Sequence, residues 1–336
     1  LAQKNFMRSV TIYTYITGMP DFWFEELQWS PSLIFLRNCI TRAMSIVNFV
    51  LILMLWFMPL CLHSDMSIEE VCSTLMYSLS EPLFYAGTIW LEFFKKDMTE
   101  LIQDLVVYAP TVCCDPGVQK RMIKKAKMFI LLILCSLVIT VGMVGMEGMM
   151  RTKDDLFITI IFAWPDLDDR NQIAGGFRVF TYVVWWMLVF RITGALAIAL
   201  CLMTYTSHQF IQLQNHFYGL AHIVDEDLSL LEKERKYEEG LIIGVQFHTD
   251  IVRFTRKLVK TCNVTYGAAV VANVITVVVT LIRLANDERS LINIFTNAMI
   301  GWTVLVITGF YIWNLGDITI EAHNLTTAMY MSGWEN

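Results

Sequence analysis

Charge is scarce in this sequence. Only 17% of its 336 residues are Asp, Glu, Lys or Arg, against about a quarter in an ordinary soluble domain. The net charge of −6 is small, and the sequence has no basic tail, no zinc-ligand spacing and no nucleic-acid module, so a nucleic-acid partner finds little support. The eight cysteines are scattered without a Cys-x-x-Cys pair, which leaves neither a redox motif nor a metal site and implies no cofactor. No repeat at a solenoid period and no low-complexity tract occurs. Paired carboxylates, a histidine cluster or a Ser/Lys pair at membrane depth would mark an intramembrane enzyme. None is present: His208, His216 and His222 lack metal-ligand spacing. The two related, Gly/Pro-broken halves of a transporter are also missing.

What the sequence has instead is apolar length. Ala43–Leu62, Met128–Met146, Val264–Ile282 and Leu291–Asn314 carry no charge; Val71–Leu91 carries only Glu81 and Val179–Met203 only Arg191. A hydrocarbon core of about 30 Å takes roughly 20 helical residues. Six such runs predict an all-α polytopic membrane protein, because a soluble helix needs a wet face. We read no signal peptide in the first thirty residues and expect the first apolar run to serve as the targeting signal.

The basic residues set the orientation. With a cytoplasmic N-terminus, the inner segments hold Lys4, Arg8, Arg37, Arg42, Lys95, Lys96, five residues between Lys120 and Lys127, and seven between Lys233 and Lys260; the outer segments hold Arg151, Lys153, Arg170, Arg178, Arg283 and Arg289. Eighteen against six is a positive-inside bias. The N-terminus is therefore expected inside, opposite to a G-protein-coupled receptor, whose Asn-Pro-x-x-Tyr signature is also absent.

The chain divides accordingly. Residues 1–30 form an aromatic-rich interfacial segment and 31–203 hold spans 1–4, with Pro82 expected to kink span 2. Span 4 continues into the cytoplasm. Residues 204–262 read as a helical hairpin with a charged tip at 225–239 and an apolar stripe that needs a partner. Residues 263–314 hold spans 5 and 6, and 315–336 read as a further cytoplasmic helix. The Gly- and Met-rich stretch from Val141 to Met150 suits either helix packing or an adaptable ligand wall. The acidic outer loop, with Asp154, Asp155, Asp166, Asp168 and Asp169, is either merely solvated or a lure for cations. Cys61 and Cys72 flank a short outer loop, as a disulfide or as two thiols. The glycosylation patterns at Asn263 and Asn324 fall on the inner side and read as chance matches.

The last third carries a recognisable order of residues. His248, Phe254 and Leu258 precede span 5; then come Phe310-Tyr311-Ile312-Trp313-Asn314-Leu315-Gly316-Asp317, Asn324-Leu325, and Ala328-Met329-Tyr330 leading to Trp334. This pattern resembles insect odorant receptors, as do the inverted topology and the long inner hairpin. The resemblance implies seven spans with the N-terminus inside, tetrameric cation channels opened by a volatile ligand, and pairing with a shared co-receptor. The shorter inner loop between spans 4 and 5 makes this a tuned subunit rather than the co-receptor. The resemblance also implies a pore-lining seventh span after Trp334, which is missing here, so the chain as written is expected to hold a ligand pocket without completing a pore. A gustatory receptor of the same superfamily is the alternative reading.

The expected partners are a small volatile organic ligand, shared odorant co-receptor subunits, membrane lipid and permeating cations. An apolar pocket with one or two hydroxyls suits such a ligand. The resemblance places it in the outer half of the membrane, where the spans offer Met76, Tyr77 and Ser80; Val141, Gly145 and Met149; Phe180, Val184 and Met187; Val279 and Thr280; Phe295 and Met299. Tyr182, Trp185 and Trp186 suit a pocket or an interface belt equally. The subunit anchor is expected to use Phe210, Phe217, His248, Phe254, Leu258, Tyr330 and Trp334. Glu81 and Arg191, charges at mid-membrane depth, are expected to pair with each other or to face a water-filled cavity.

Overall fold

The computed structural model describes the backbone of residues 2–26, 29–62, 68–150, 171–286 and 291–333, with side chains except at 58–62, 68–70, 73, 148, 150, 224, 225 and 286. Among these residues the regular structure is entirely helical. The acidic outer loop, the side chain of Cys61 and Trp334 lie outside this description.

Helix α1 (Ala2–Ile16) ends where Gly18 adopts a φ of +100°. Gly18 N–H then reaches Tyr15 O at 3.2 Å and Met19 N–H reaches Thr14 O at 3.0 Å, the left-handed close that glycine allows. The chain turns back into α2 (Pro31–Leu62) and α3 (Ile68–Phe93), which runs through Pro82 without ending. Next comes a short amphipathic unit: α4 (Lys95–Gln103), a π-helical turn (Asp104–Tyr108) and α5 (Ala109–Val112). It buries Met98, Leu101, Ile102 and Leu105.

Asp115 opens α6 (Pro116–Met150). Its carboxylate accepts the Gly117 and Val118 N–H groups at 2.7 and 3.4 Å, with proline at the first helical position where no N–H is needed. The same aspartate is held below the usual carboxylate range, chiefly by the Gly117 N–H and then by the Asn215 amide.

The two longest helices run far beyond a membrane's thickness. Helix α7 (Gln172–Ala221) has 50 residues and α8 (Leu230–Asn286) has 57, about 75 and 85 Å at the helical rise. A single 3-10 turn, His222–Asp225, and a capping box at Ser229 join them. There Glu232 Oε2 accepts the Ser229 N–H at 3.1 Å, the glutamate half of the box, and also the Ser229 hydroxyl at 2.6 Å. Helices α7 and α8 therefore form a helical hairpin. Helix α9 (Leu291–Tyr330) runs unbroken, so residues 315–330 continue the sixth span instead of forming a separate element.

Helix α7 is the centre of the bundle. Thr193 to Phe210 is buried without interruption. The small residues Gly194, Ala195, Ala197 and Ala199 explain it: a Cβ on Gly194 would stand 2.5 Å from Thr17 Oγ1, so α1 crosses here at close range. One core fills the hairpin end, with Phe22, Leu101, Tyr205, Phe217, Phe247 and Phe254. A smaller one fills the loop end, with Leu55, Met76, Tyr77, Val141, Trp185 and Val279.

Helices α2, α6, α7, α8 and α9 are each long and apolar enough to cross a membrane. The chain is a multi-pass membrane protein. The sixth expected crossing, α3, has the length, at 26 residues, but less apolarity. The reason is on its buried face: Thr74, Ser78, Ser80, Glu81 and Thr88 all point into the bundle.

Candidate functional site

Helices α3, α6, α7, α8 and α9 converge around a cavity of about 130 Å³. Its wall is mostly apolar: Met76, Phe84, Leu137, Val144, Val189, Ile192, Leu196, Ile300, Val304 and Ile307. Tyr77 and Trp185 meet edge to face at 5.9 Å between ring centroids on the side nearer the loops. An empty apolar cavity of about 150 Å³ accommodates a benzene ring. The present one matches a single-ring or short-chain molecule.

The polar groups in the wall are few and already occupied. Trp185 Nε1–H donates to Glu81 Oε1 at 2.5 Å. The hydroxyls of Thr140 and Thr303 meet at 2.7 Å, and each is also within reach of a carbonyl, Met299 O and Ser136 O, at 3.2 Å. Asn273 donates to Thr308 Oγ1 at 2.8 Å, Thr276 to Ala272 O at 2.8 Å and Ser80 to Met76 O at 2.5 Å. Among the described residues, Glu81 is the one acidic residue lining the cavity, and Trp185 is its one hydrogen-bond partner.

Of the residues singled out in the sequence, Met76, Tyr77 and Ser80 line the cavity. Val141 and Val279 sit in the loop-end core beside it, and Val184 and Thr280 are also buried. Gly145 lies under the Tyr182 hydroxyl, which donates to Val141 O at 2.9 Å. Met299 contributes its backbone carbonyl. Met149, Phe180 and Phe295 are exposed on outward faces, and Met187 lines a different cleft. The structure thus gathers the span-2 residues and leaves much of the rest outside. The cavity lies deeper, around Thr140, Val189, Asn273, Thr276, Ile300 and Thr303. A signal for these existed: Asn273 with Thr276, and Thr303 with Ile307, put polar and apolar groups on one helical face at i, i+3 and i+4.

Glu81 and Arg191 do not pair with each other. Arg191 instead forms an ion pair with Glu92 and donates to Ser45 Oγ at 2.7 Å. Glu92 lies eleven residues beyond Glu81 on α3, and Arg191 six beyond Trp185 on α7. Trp185 therefore meets Glu81, while the long arginine arm reaches down to Glu92.

Toward the hairpin end the charges form bridges. Lys257 on α8 holds Glu100 at 3.0 Å and Asp104 at 3.2 Å, Lys260 holds Asp97 at 2.7 Å, and Lys125 pairs with Asp317. Partial burial pulls the Lys257 ammonium down, but Glu100 and Asp104 outweigh it and leave it raised. Phe210, Phe217, Phe254 and Leu258 are buried here, while Tyr330 is exposed and His248 half-buried. A Cβ on Gly244 would stand 2.8 Å from the Phe217 ring.

Solved structures match this arrangement closely. The insect olfactory receptor OR5 from Machilis hrabei superposes with a TM-score of 0.79 over 98% of this chain and 88% of the receptor, at 12% identity. The same receptor in complex with eugenol superposes at 0.75 over 99% and 88%, at 13% identity. The chain has the fold of an insect odorant receptor. No protein-family model and no curated protein sequence matches it. At such identity the odorant-receptor fold is carried by hydrophobic patterning and helix packing, with most individual side chains changed.

Proposed function

We propose that this chain is a tuned odorant-receptor subunit, which takes a small volatile molecule into the cavity between α3, α6, α7, α8 and α9. Binding there biases the helices toward an open cation pathway, in a heterotetramer with shared co-receptor subunits. The N-terminus and the inner hairpin face the cytoplasm in this reading, and the hairpin anchors the subunits to one another.

One observation supports the reading most: a largely apolar cavity sits between five helices of the bundle, inside a fold whose solved representative was captured in complex with eugenol. The volume favours ligands of about one aromatic ring. The Glu81 carboxyl, which takes a donor from Trp185 alone, would orient a ligand that carries a single polar group.

The test is co-expression of the full chain with the shared co-receptor, recording current against a panel of volatiles. Currents evoked by small single-ring or short-chain volatiles are expected. Silence to every volatile, with both subunits at the cell surface, would contradict the proposal.

A further inference from the structure

The cavity between the five helices has a carboxyl in its wall and no cation to answer it. Glu81, 7% exposed, lines the cavity from α3. Its Oε1 accepts the Trp185 Nε1–H, and among the described residues no hydrogen bond reaches its Oε2. No Lys, Arg or His among the described residues lines the cavity. Arg191 on α7 is held by Glu92, and Arg283 on α8 lies 3.6 Å from Glu147. The other donors of the wall are spent elsewhere: Ser80 on Met76 O, Thr276 on Ala272 O and Asn273 on Thr308. Thr140 and Thr303 meet each other. A carboxylate inside a membrane bundle is costly until a cation or further donors meet it.

The neighbours of the carboxyl carry the same sign of demand. Tyr77 stands four residues before Glu81 on α3, one helical turn away on the same face. Trp185 approaches from α7, and both rings line the cavity. Aromatic rings carry negative faces that attract ammonium groups. The remaining wall is aliphatic, with Val189, Ile192, Val304 and Ile307.

We infer that this cavity selects small primary amines, with the ammonium donating to the free Glu81 oxygen beside Tyr77 and the single ring or short chain against Val189, Val304 and Ile307. The inference rests on reading this cavity as the ligand site and names the chemistry the site takes. An ammonium brings three donors and a charge. An alcohol brings one donor without charge, a ketone only acceptors, and a hydrocarbon neither. The carboxyl therefore ranks the amine first and the alcohol second.

The test uses the full chain purified into detergent and reads the rise in melting temperature that a bound ligand produces. The probes are cyclohexylamine, cyclohexanol, cyclohexanone and methylcyclohexane, all of one size. Cyclohexylamine is expected to reach half its effect at about tenfold lower concentration than cyclohexanol, the margin of a charge-assisted hydrogen bond over a neutral one. Glu81→Gln keeps an acceptor for Trp185 and removes the charge, so it should bring the amine level with the alcohol. Val304→Phe fills the cavity and should abolish the effect of every probe. If Glu81→Gln does not fold, the ranking in the parent and its loss in Val304→Phe decide. An amine no stronger than the alcohol, or an amine preference that survives either variant, would overturn the inference. So would a ketone stronger than the amine, the mark of a carboxyl that donates. Volatile-evoked currents from the co-expressed chain separate the two readings. Currents without an amine preference in binding would sink the inference alone; amine-selective stabilisation without any current would uphold it and sink the receptor reading.

Discussion

Trp185 Nε1–H meets Glu81 Oε1 at 2.5 Å, across 104 residues of chain, in the wall of the cavity between α3 and α7. This bond joins α3 to α7 at the depth where a molecule would sit. Trp185→Phe leaves the carboxyl buried without its donor and should cost about 1–3 kcal/mol of stability. Adding Glu81→Leu should return most of that loss, because an apolar pair needs no partner. Thermal unfolding of the purified variants checks both; a Trp185→Phe protein as stable as the parent would remove the bond from the account.

Arg191 and Glu92 form an ion pair between α7 and α3, and Glu81 takes no part in it. Either single charge reversal should destabilise by about 2 kcal/mol, less than a fully buried pair because Glu92 is one-third exposed. The double swap Arg191→Glu with Glu92→Arg should recover part of the loss. The swap of Arg191 with Glu81 should recover none. Surface expression and melting temperature distinguish the two swaps.

His208 lies on α7 past the apolar run Val179–Met203, with its Nδ1 2.8 Å from Thr204 O. Burial holds the imidazole below its ordinary value of 6.5, against the opposing pull of the Thr204 carbonyl; Lys125 adds to the lowering. A lowered folded-state pKa means that the neutral ring stabilises the fold above about 6.5 and that this contribution is lost as pH falls toward the lower folded value. Stability should therefore drop on acidification below pH ~6.5. His208→Gln should flatten that part of the profile, as followed by melting temperature against pH.

Gly244 and Gly219 give opposite expectations. A Cβ on Gly244 would press on the fully buried ring of Phe217, whereas one on Gly219 would meet open space. Gly244→Ala should cost about 1–3 kcal/mol through overpacking. Gly219→Ala should add up to about 1 kcal/mol through helix propensity. Subunit assembly on native gels should weaken only for the first, since the hairpin is the expected anchor.

The sequence revealed the fold more fully than the site. Uncharged runs such as Ala43–Leu62 and Leu291–Asn314 have no other economical use than a membrane, and the apolar stripe through Phe210, Phe217, Phe254 and Leu258 marked the hairpin. The site was harder because a lipid-facing side chain and a cavity-facing one are both apolar, so Phe295 and Val304 look alike in sequence. Helix rotation separates them, and only packing fixes rotation. The polar residues were the better guide: Ser80, Thr140, Asn273, Thr276 and Thr303 all turn inward, since hydrocarbon gives them no partner. Of the two alternatives for Glu81 and Arg191, the direct pair does not form, for the same reason: depth along a helix was readable, but facing was not.

The most direct measurement compares Val304→Phe with Phe295→Ala in the full chain, co-expressed with the co-receptor and driven by its best volatile. Val304 lines the cavity and Phe295 is exposed on an outward face. The account predicts that Val304→Phe abolishes the ligand-evoked current at normal surface expression, while Phe295→Ala leaves it near the parent level. An unchanged dose response in Val304→Phe would contradict it.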